Sequence, residues 1–109
     1  MLSFNPIRIY LHREATDMRK SFNGLSSLVS MNFPEADLDG TLFVFLNKRQ
    51  TYVKCLYWDQ DGYVIWSKQL RQGCFKKLDS EGVMISRREL LMLLEGIKPK
   101  RLNKRFSMS

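Results

Sequence analysis

Three runs rich in aromatic and β-branched residues lie close together between Leu42 and Leu70. Leu42-Phe43-Val44-Phe45-Leu46 is followed by the polar stretch Asn47-Lys48-Arg49-Gln50-Thr51, and then by Tyr52-Val53-Lys54-Cys55-Leu56-Tyr57-Trp58. Asp59-Gln60-Asp61-Gly62 separates that run from Tyr63-Val64-Ile65-Trp66-Ser67-Lys68-Gln69-Leu70. Strand-forming runs joined by short polar turns predict two consecutive hairpins, hence a three-stranded antiparallel meander. A turn at Asp59 to Gly62 places Trp58 opposite Tyr63, Leu56 opposite Ile65 and Cys55 opposite Trp66. A turn at Asn47 to Thr51 places Phe43 opposite Cys55 and Phe45 opposite Val53. Side chains alternate with period two, so one face gathers Phe43, Cys55 and Trp66 and the other Leu42, Leu56 and Ile65. Two apolar faces need two covers, a helix on one side and chain or a partner on the other.

The flanks supply candidates for both. Ile7-Arg8-Ile9-Tyr10-Leu11 reads as a short strand joining the meander at an edge, ended by His12 and Arg13. A helix begins at Asp17 or at Ser21, with Phe22, Leu25, Leu28, Val29 and Met31 or Phe33 as its apolar stripe. Gly24 in its first turn points to close backbone approach or is incidental. Phe33-Pro34 ends the helix, because the residue before proline is pushed out of helical geometry. Beyond Leu70, Arg71 to Cys74 reads as a turn, Phe75 to Leu78 as a short strand or extended arm, and Val83-Met84-Ile85 as another short strand. Ser86-Arg87-Arg88-Glu89 has the form of a capping box, with Ile85 and Leu90 placed as a hydrophobic staple. Leu90 to Leu94 then forms a helix apolar nearly all round, which implies burial on more than one side, and Gly96 and Pro99 stop it. The fold class expected is α+β: a small single domain over 1–97, in which an antiparallel meander of three to five strands is packed by two helices. Residues 98–109 form a basic tail, expected to be mobile without a partner.

Composition sharpens this picture through charge. At 109 residues with 44% hydrophobic and 27% charged residues, the chain is sized and composed for one folded domain. Its net charge is +7, and its pI is about 9.7. The cations are concentrated: Lys48, Arg49, Lys54, Lys68, Arg71, Lys76 and Lys77 stand against Asp59 and Asp61, and the tail adds Lys98, Lys100, Arg101, Lys104 and Arg105 without an acid. That balance favours a polyanionic partner, nucleic acid before a membrane, since no amphipathic basic helix or lipidation motif accompanies it. The competing explanation is that a small basic protein simply stays soluble this way. Cys55 and Cys74 have no metal spacing and fit reduced thiols; no signal peptide or apolar span is evident, so a soluble, intracellular, cytoplasmic protein is expected.

Candidate chemistry is sparse. One histidine, His12, and two cysteines do not make a zinc site, and nothing in their spacing pairs His12 with either thiol as a nucleophile. His12 fits an exposed strand end. Asp59 and Asp61, with Asp37 or Asp39, are the carboxylates a cation-dependent nuclease would need, but Asp-Gln-Asp-Gly is also what a hairpin turn wants, with glycine at positive φ, and the turn is the favoured reading. No catalytic residue, metal ligand or cofactor is therefore assigned. Phosphate contact is assigned to Lys48, Arg49, Lys54, Lys68, Arg71, Lys76 and Lys77, to Arg19 and Lys20 by the first helix, and to Lys100, Arg101, Lys104 and Arg105 in the tail. Tyr52, Tyr63, Trp66 and Phe75, interleaved with these cations, are the candidates for base stacking. Arg19 and Lys20 have an alternative, pairing with Glu14 or Asp17.

The run Asp17-Met18-Arg19-Lys20-Ser21-Phe22-Asn23-Gly24-Leu25, then Leu42 to Arg49, then Lys54-Cys55-Leu56-Tyr57-Trp58-Asp59-Gln60-Asp61-Gly62 resembles the TnpB accessory proteins of bacterial insertion sequences of the group numbered sixty-six. The likeness spans about Pro6 to Ile97, and its recurring positions include Asp17, Met18, Arg19, Lys20, Gly24, Leu25, Tyr57, Trp58, Asp59 and Gly62. Gln69 stands where the family often has a basic residue, and Phe75-Lys76-Lys77-Leu78 lacks the usual Trp-Pro. The resemblance implies a product encoded beside a larger DDE-type transposase, assisting movement of the element without catalytic residues of its own. The expected function is thus a non-catalytic transposition factor binding DNA through a basic surface within a transposase complex. The alternative is an adaptor that docks on the transposase, or self-associates, without touching DNA.

Overall fold

A computed structural model describes residues 4–98. Their elements run β1 (Arg8–Leu11), α1 (Phe22–Asn32), β2 (Thr41–Leu46), β3 (Tyr52–Asp59), β4 (Gly62–Gln69), β5 (Cys74–Phe75), α2 (Arg87–Glu95) and β6 (Ile97–Lys98). The tail beyond Lys98, with Lys100, Arg101, Lys104 and Arg105, lies outside the described residues.

The fold is α+β, built on a four-stranded sheet ordered β1-β2-β3-β4. β2, β3 and β4 form the expected antiparallel meander, while β1 joins its edge parallel to β2, so the sheet is mixed. A parallel neighbour needs a crossover, and α1 supplies it. The free side of β1 is itself covered: Leu11 donates its N–H to Val83 at 2.7 Å and Ile85 donates to Ile9 at 3.0 Å. The Val83 to Ile85 segment is thus a bridge onto the sheet edge.

Register in β3 and β4 is as the turn predicts, with Trp58 opposite Tyr63, Leu56 opposite Ile65 and Cys55 opposite Trp66. Register in β2 is displaced by one residue: Phe43 faces Leu56, Val44 faces Cys55 and Phe45 faces Lys54. Asn47 is the cause. Its N–H donates to the Tyr52 carbonyl at 3.1 Å, and its Oδ1 accepts from the N–H groups of Thr51 at 2.8 Å and Tyr52 at 3.0 Å. Asn47 therefore closes the hairpin as a paired residue and leaves Lys48 to Thr51 as the loop, with Gln50 at φ 61°. A one-residue slip exchanges the faces of the whole strand. Phe43 and Phe45 accordingly join Leu56 beneath Leu25 and Val29 of α1, whereas Leu42, Val44 and Leu46 join Val53, Cys55 and Tyr57 on the side covered by α2. All six residues of β2 are buried, as a central strand covered on both faces requires.

Each helix is set by its local sequence. α1 starts after Ser21 and ends at Phe33, whose N–H closes on the Val29 carbonyl and whose ring packs on Tyr10 and Phe43. The close neighbour of Gly24 is the aliphatic stem of Lys20, not the sheet. At α2 the capping box is complete: Ser86 Oγ accepts from the Glu89 N–H at 3.0 Å, and Glu89 Oε1 accepts from the Ser86 N–H at 2.8 Å. Only one side of α2 is buried, through Leu90, Leu93 and Leu94; Leu91 and Met92 are exposed, contrary to burial all round. Gly40 precedes β2 at φ 78°, a conformation that favours glycine, and a Cβ there would also push aside the tip of the exposed Ile7 side chain 2.9 Å away. Among the described residues no helix is long and apolar enough to cross a membrane.

Candidate nucleic-acid interface

Two polar segments that the sequence separates by about twenty residues are joined at one end of the sheet. The Phe75 N–H donates to the Gln50 carbonyl at 2.6 Å, and the Leu70 N–H donates to the Thr51 carbonyl at 2.8 Å. Phe75 is 1% exposed and anchors the arm in the core beside Leu93. Gly73, at φ 76°, lets the chain turn between these two attachments. β5 pairs not with the main sheet but with β6, which brings the backbone of Lys98 beside Cys74.

The β2–β3 loop and the arm therefore present their cations together. Arg49 and Arg71 line one open cleft of about 600 Å³ with Thr51, Gln72 and Cys74. Lys48 and Lys77 line a smaller cavity of about 160 Å³, floored by Leu11, Leu46 and Leu93, with Glu14 the acid among its lining residues. Lys76 is exposed on the same arm. Among the described residues none of these five cations forms an ion pair. The electrostatic result is a basic end of the sheet whose charges are held by backbone hydrogen bonds rather than neutralised.

The remaining predicted contacts fall elsewhere. Lys54 donates Nζ to the Lys20 carbonyl at 2.8 Å, on the α1 side, and lies 5.7 Å from the Tyr52 ring centroid. Lys68 donates Nζ to the Leu94 carbonyl at 3.3 Å, at the C-terminal end of α2, where a cation is favoured. Both lysines are half-buried and tie helices to opposite faces of the sheet. Arg19 pairs with Asp17 at 2.6 Å, and its guanidinium together with its own N–H holds the Asp17 carboxyl well below the usual carboxylate range. Lys20 is exposed, but only its carbonyl is engaged. The aromatic candidates do not form a stacking platform: Phe75 is core, Trp66 and Tyr63 pack against opposite hydrophobic clusters, and Tyr52 is half-buried.

Two other expectations change, and the reading of the β3–β4 carboxylates as a turn stands. His12 is buried, not exposed, with its ring against Phe33 and Phe45. The β3–β4 turn places Gln60, at φ 57°, in the left-handed position expected of Gly62. Asp59 and Asp61 belong to that turn, and among the described residues no three His, Cys, Asp or Glu side chains gather to hold a metal. Burial also pushes the Cys55 thiol up to about 12, which makes it a packing residue rather than a nucleophile. Sequence reasoning missed Arg13, whose guanidinium donates to the Gly82 carbonyl and to Ser80 Oγ and so fastens the loop before α2. It also missed Arg8, which donates to Thr41 Oγ1 at 3.1 Å and to the Asp39 carbonyl at 2.6 Å.

A family described as IS66 Orf2 like protein matches residues 7–104. The chain belongs to that family. Its members are accessory proteins of insertion sequences, so the chain is a transposition accessory protein. Two uncharacterised proteins of Sinorhizobium fredii are similar to it. The one named y4jC is 30% identical over 93 residues, covering 84% of this chain and 80% of its own. The one named y4hO is 33% identical over 93 residues, covering 84% and 81%. No solved structure matches.

Proposed function

We propose that this IS66 Orf2-like protein binds DNA through the basic end of its sheet and does so as a non-catalytic member of a transposase complex. The observation that carries the reading is the pair of backbone bonds joining Phe75 to Gln50 and Leu70 to Thr51. They bring the segments that carry Lys48, Arg49, Arg71, Lys76 and Lys77 together at one end of the sheet. Unpaired lysine and arginine side chains neutralise phosphates and release counterions, which gives affinity without base reading. In this reading the protein shields or aligns the phosphate backbone while the transposase encoded by the same element performs strand chemistry.

The test is fluorescence anisotropy with labelled duplexes from the element's ends and a scrambled control across a salt series. Five phosphate contacts correspond to a slope of log K against log salt of roughly −4 to −5. Tighter binding to the ends makes the protein a site-recognising factor, and equal, salt-steep binding makes it a backbone-neutralising helper. Absence of binding at low salt removes the reading. The adaptor reading is favoured by Leu91 and Met92, which α2 leaves 40% and 45% exposed. Loss of transposase association in Leu91→Glu with DNA binding intact would support it.

A further inference from the structure

The smaller cavity at the basic end combines features that phosphate contact alone does not use. Its floor is apolar, made by Leu11, Leu46 and Leu93, and Lys48 and Lys77 stand on its lining. Gln50 lines it too, and Gln50 Oε1 is one of two buried side-chain polar atoms among the described residues with no hydrogen-bond partner. An orphaned buried acceptor is costly, and a residue at φ 61° that is not glycine is strained as well. The backbone of Gln50 is pinned by its bonds to Asn47 and Phe75, but the terminal torsion of a glutamine side chain is soft. Rotation of the amide into the cavity thus costs little and gains a partner when a ligand offers an N–H.

Size narrows the ligand. An enclosed apolar cavity of roughly 150 Å³ takes one benzene ring, and this one, partly open and with Arg13, Glu14 and Asn47 also on its lining, has about 160 Å³ of room. It suits a single six-membered ring better than a fused pair. We propose that the cavity receives one unpaired pyrimidine of a DNA strand. The ring lies on the leucine floor, an N–H of its hydrogen-bonding edge meets Gln50 Oε1, and the attached phosphate sits against Lys48 and Lys77. This rests on the DNA-binding reading and adds to it a preference for strands in which a base has left the stack, as at an opened or distorted element end.

The test compares three labelled duplexes at one salt concentration: fully paired, with one extrahelical thymine, and with one extrahelical adenine. The native chain is expected to bind the thymine bulge about tenfold tighter than the paired duplex, the scale of one base's stacking and hydrogen bonding, and the adenine bulge no tighter than the paired one. Gln50→Asn, which tolerates the left-handed backbone, and Leu78→Trp, which fills the cavity, are expected to lose that preference while keeping affinity for paired DNA. A second measurement needs no variant: the Gln50 side-chain amide resonance of the native chain is expected to shift on titration with thymidine 5′-monophosphate and not with inorganic phosphate. Equal affinity for all three duplexes with an unmoved Gln50 resonance overturns the cavity proposal and leaves the DNA-binding reading standing. No salt-sensitive binding to any duplex removes both.

Discussion

At one end of the sheet Asp37 and Asp39 precede β2, and Asp59 and Asp61 lie in the turn between β3 and β4. At the other, Lys48 and Arg49 tip the β2–β3 loop and Arg71, Lys76 and Lys77 follow β4. Both ends are hairpin turns with one non-glycine residue at positive φ, Gln60 in the first and Gln50 in the second. They differ in what is tied to them. At the acidic end Arg8 reaches back, donating to the Asp39 carbonyl and approaching Asp37 at 3.8 Å, so charge is partly balanced within the fold. At the basic end the tie is made by backbone amides and by a buried phenyl ring, which concentrates like charge instead of cancelling it. Like charge held together costs stability unless something outside the chain offsets it, which is why the basic end is the one to read as an interface.

The comparison is broken most severely by removing the tie. Phe75→Ala deletes a fully buried ring and is expected to destabilise the fold by about 3–5 kcal/mol in urea or guanidinium titrations. If the arm's position matters to DNA, affinity falls at temperatures where the variant remains folded. Unchanged affinity there would show that the arm's cations act without being seated on the hairpin. Next in size is the charge itself. The combined variant Lys48→Ala, Arg49→Ala, Arg71→Ala, Lys77→Ala is expected to weaken DNA binding on the order of a hundredfold near physiological salt, with a salt slope shallower by roughly 3 to 4. Its melting temperature should hold or rise, because repulsion is relieved. A variant that binds normally moves the interface away from this end.

A smaller effect sharpens the comparison by touching neither turn. Ser86→Ala removes a cap hydroxyl and is expected to cost about 1 kcal/mol of stability without altering DNA binding. The partner in that box gives a pH signature. The Glu89 carboxyl is held below its ordinary range first by the Ser86 N–H and then by the Ser80 hydroxyl. A depressed folded value means the carboxylate supports the fold above its unfolded value, about 4.3, and that support is lost as pH falls through the folded value. The melting difference between the native chain and Glu89→Gln should therefore be present near neutrality and vanish in acid. A difference that persists in acid would assign it to packing instead.

Much of this fold was legible in particular residues. The β3–β4 register followed from Asp59 to Gly62, and the start of α2 followed from Ser86 and Glu89, because both signals act over three or four residues. What was illegible acts over longer range or through a single side chain. Asn47 reads as loop until its amide is seen closing the hairpin, and that one residue exchanges the faces of β2. His12 reads as a polar strand end until Phe33 and Phe45 are seen closing over it. Leu91 and Met92 read as core because composition does not say which side of a helix meets a sheet. The basic cations were named from sequence, but their division was not: Lys54 and Lys68 were grouped with Lys48 and Arg49, yet one N–H of each ammonium goes to the carbonyl of Lys20 or Leu94. The nearest clue was Phe75, a lone large apolar residue among cations, which marks where the arm turns back into the core.

The smallest expected effect is at the acidic end. Asp59→Asn with Asp61→Asn leaves a turn whose geometry rests on Gln60 and on the Asp59 to Gly62 pairing, and asparagine serves such turns as well as aspartate does. Stability should change by no more than about 0.5 kcal/mol, the usual range for exposed substitutions. DNA affinity should be unchanged or slightly raised, since two distant negative charges are removed and screening over the length of the sheet leaves little of their field. Transposition of the element should be unaffected. Loss of transposition with folding and DNA binding intact would give this end a role of its own, either as carboxylates acting on a cation or as the acidic face offered to the transposase. Addition of magnesium separates the two, because only the first changes the stability of the native chain and not of the double variant.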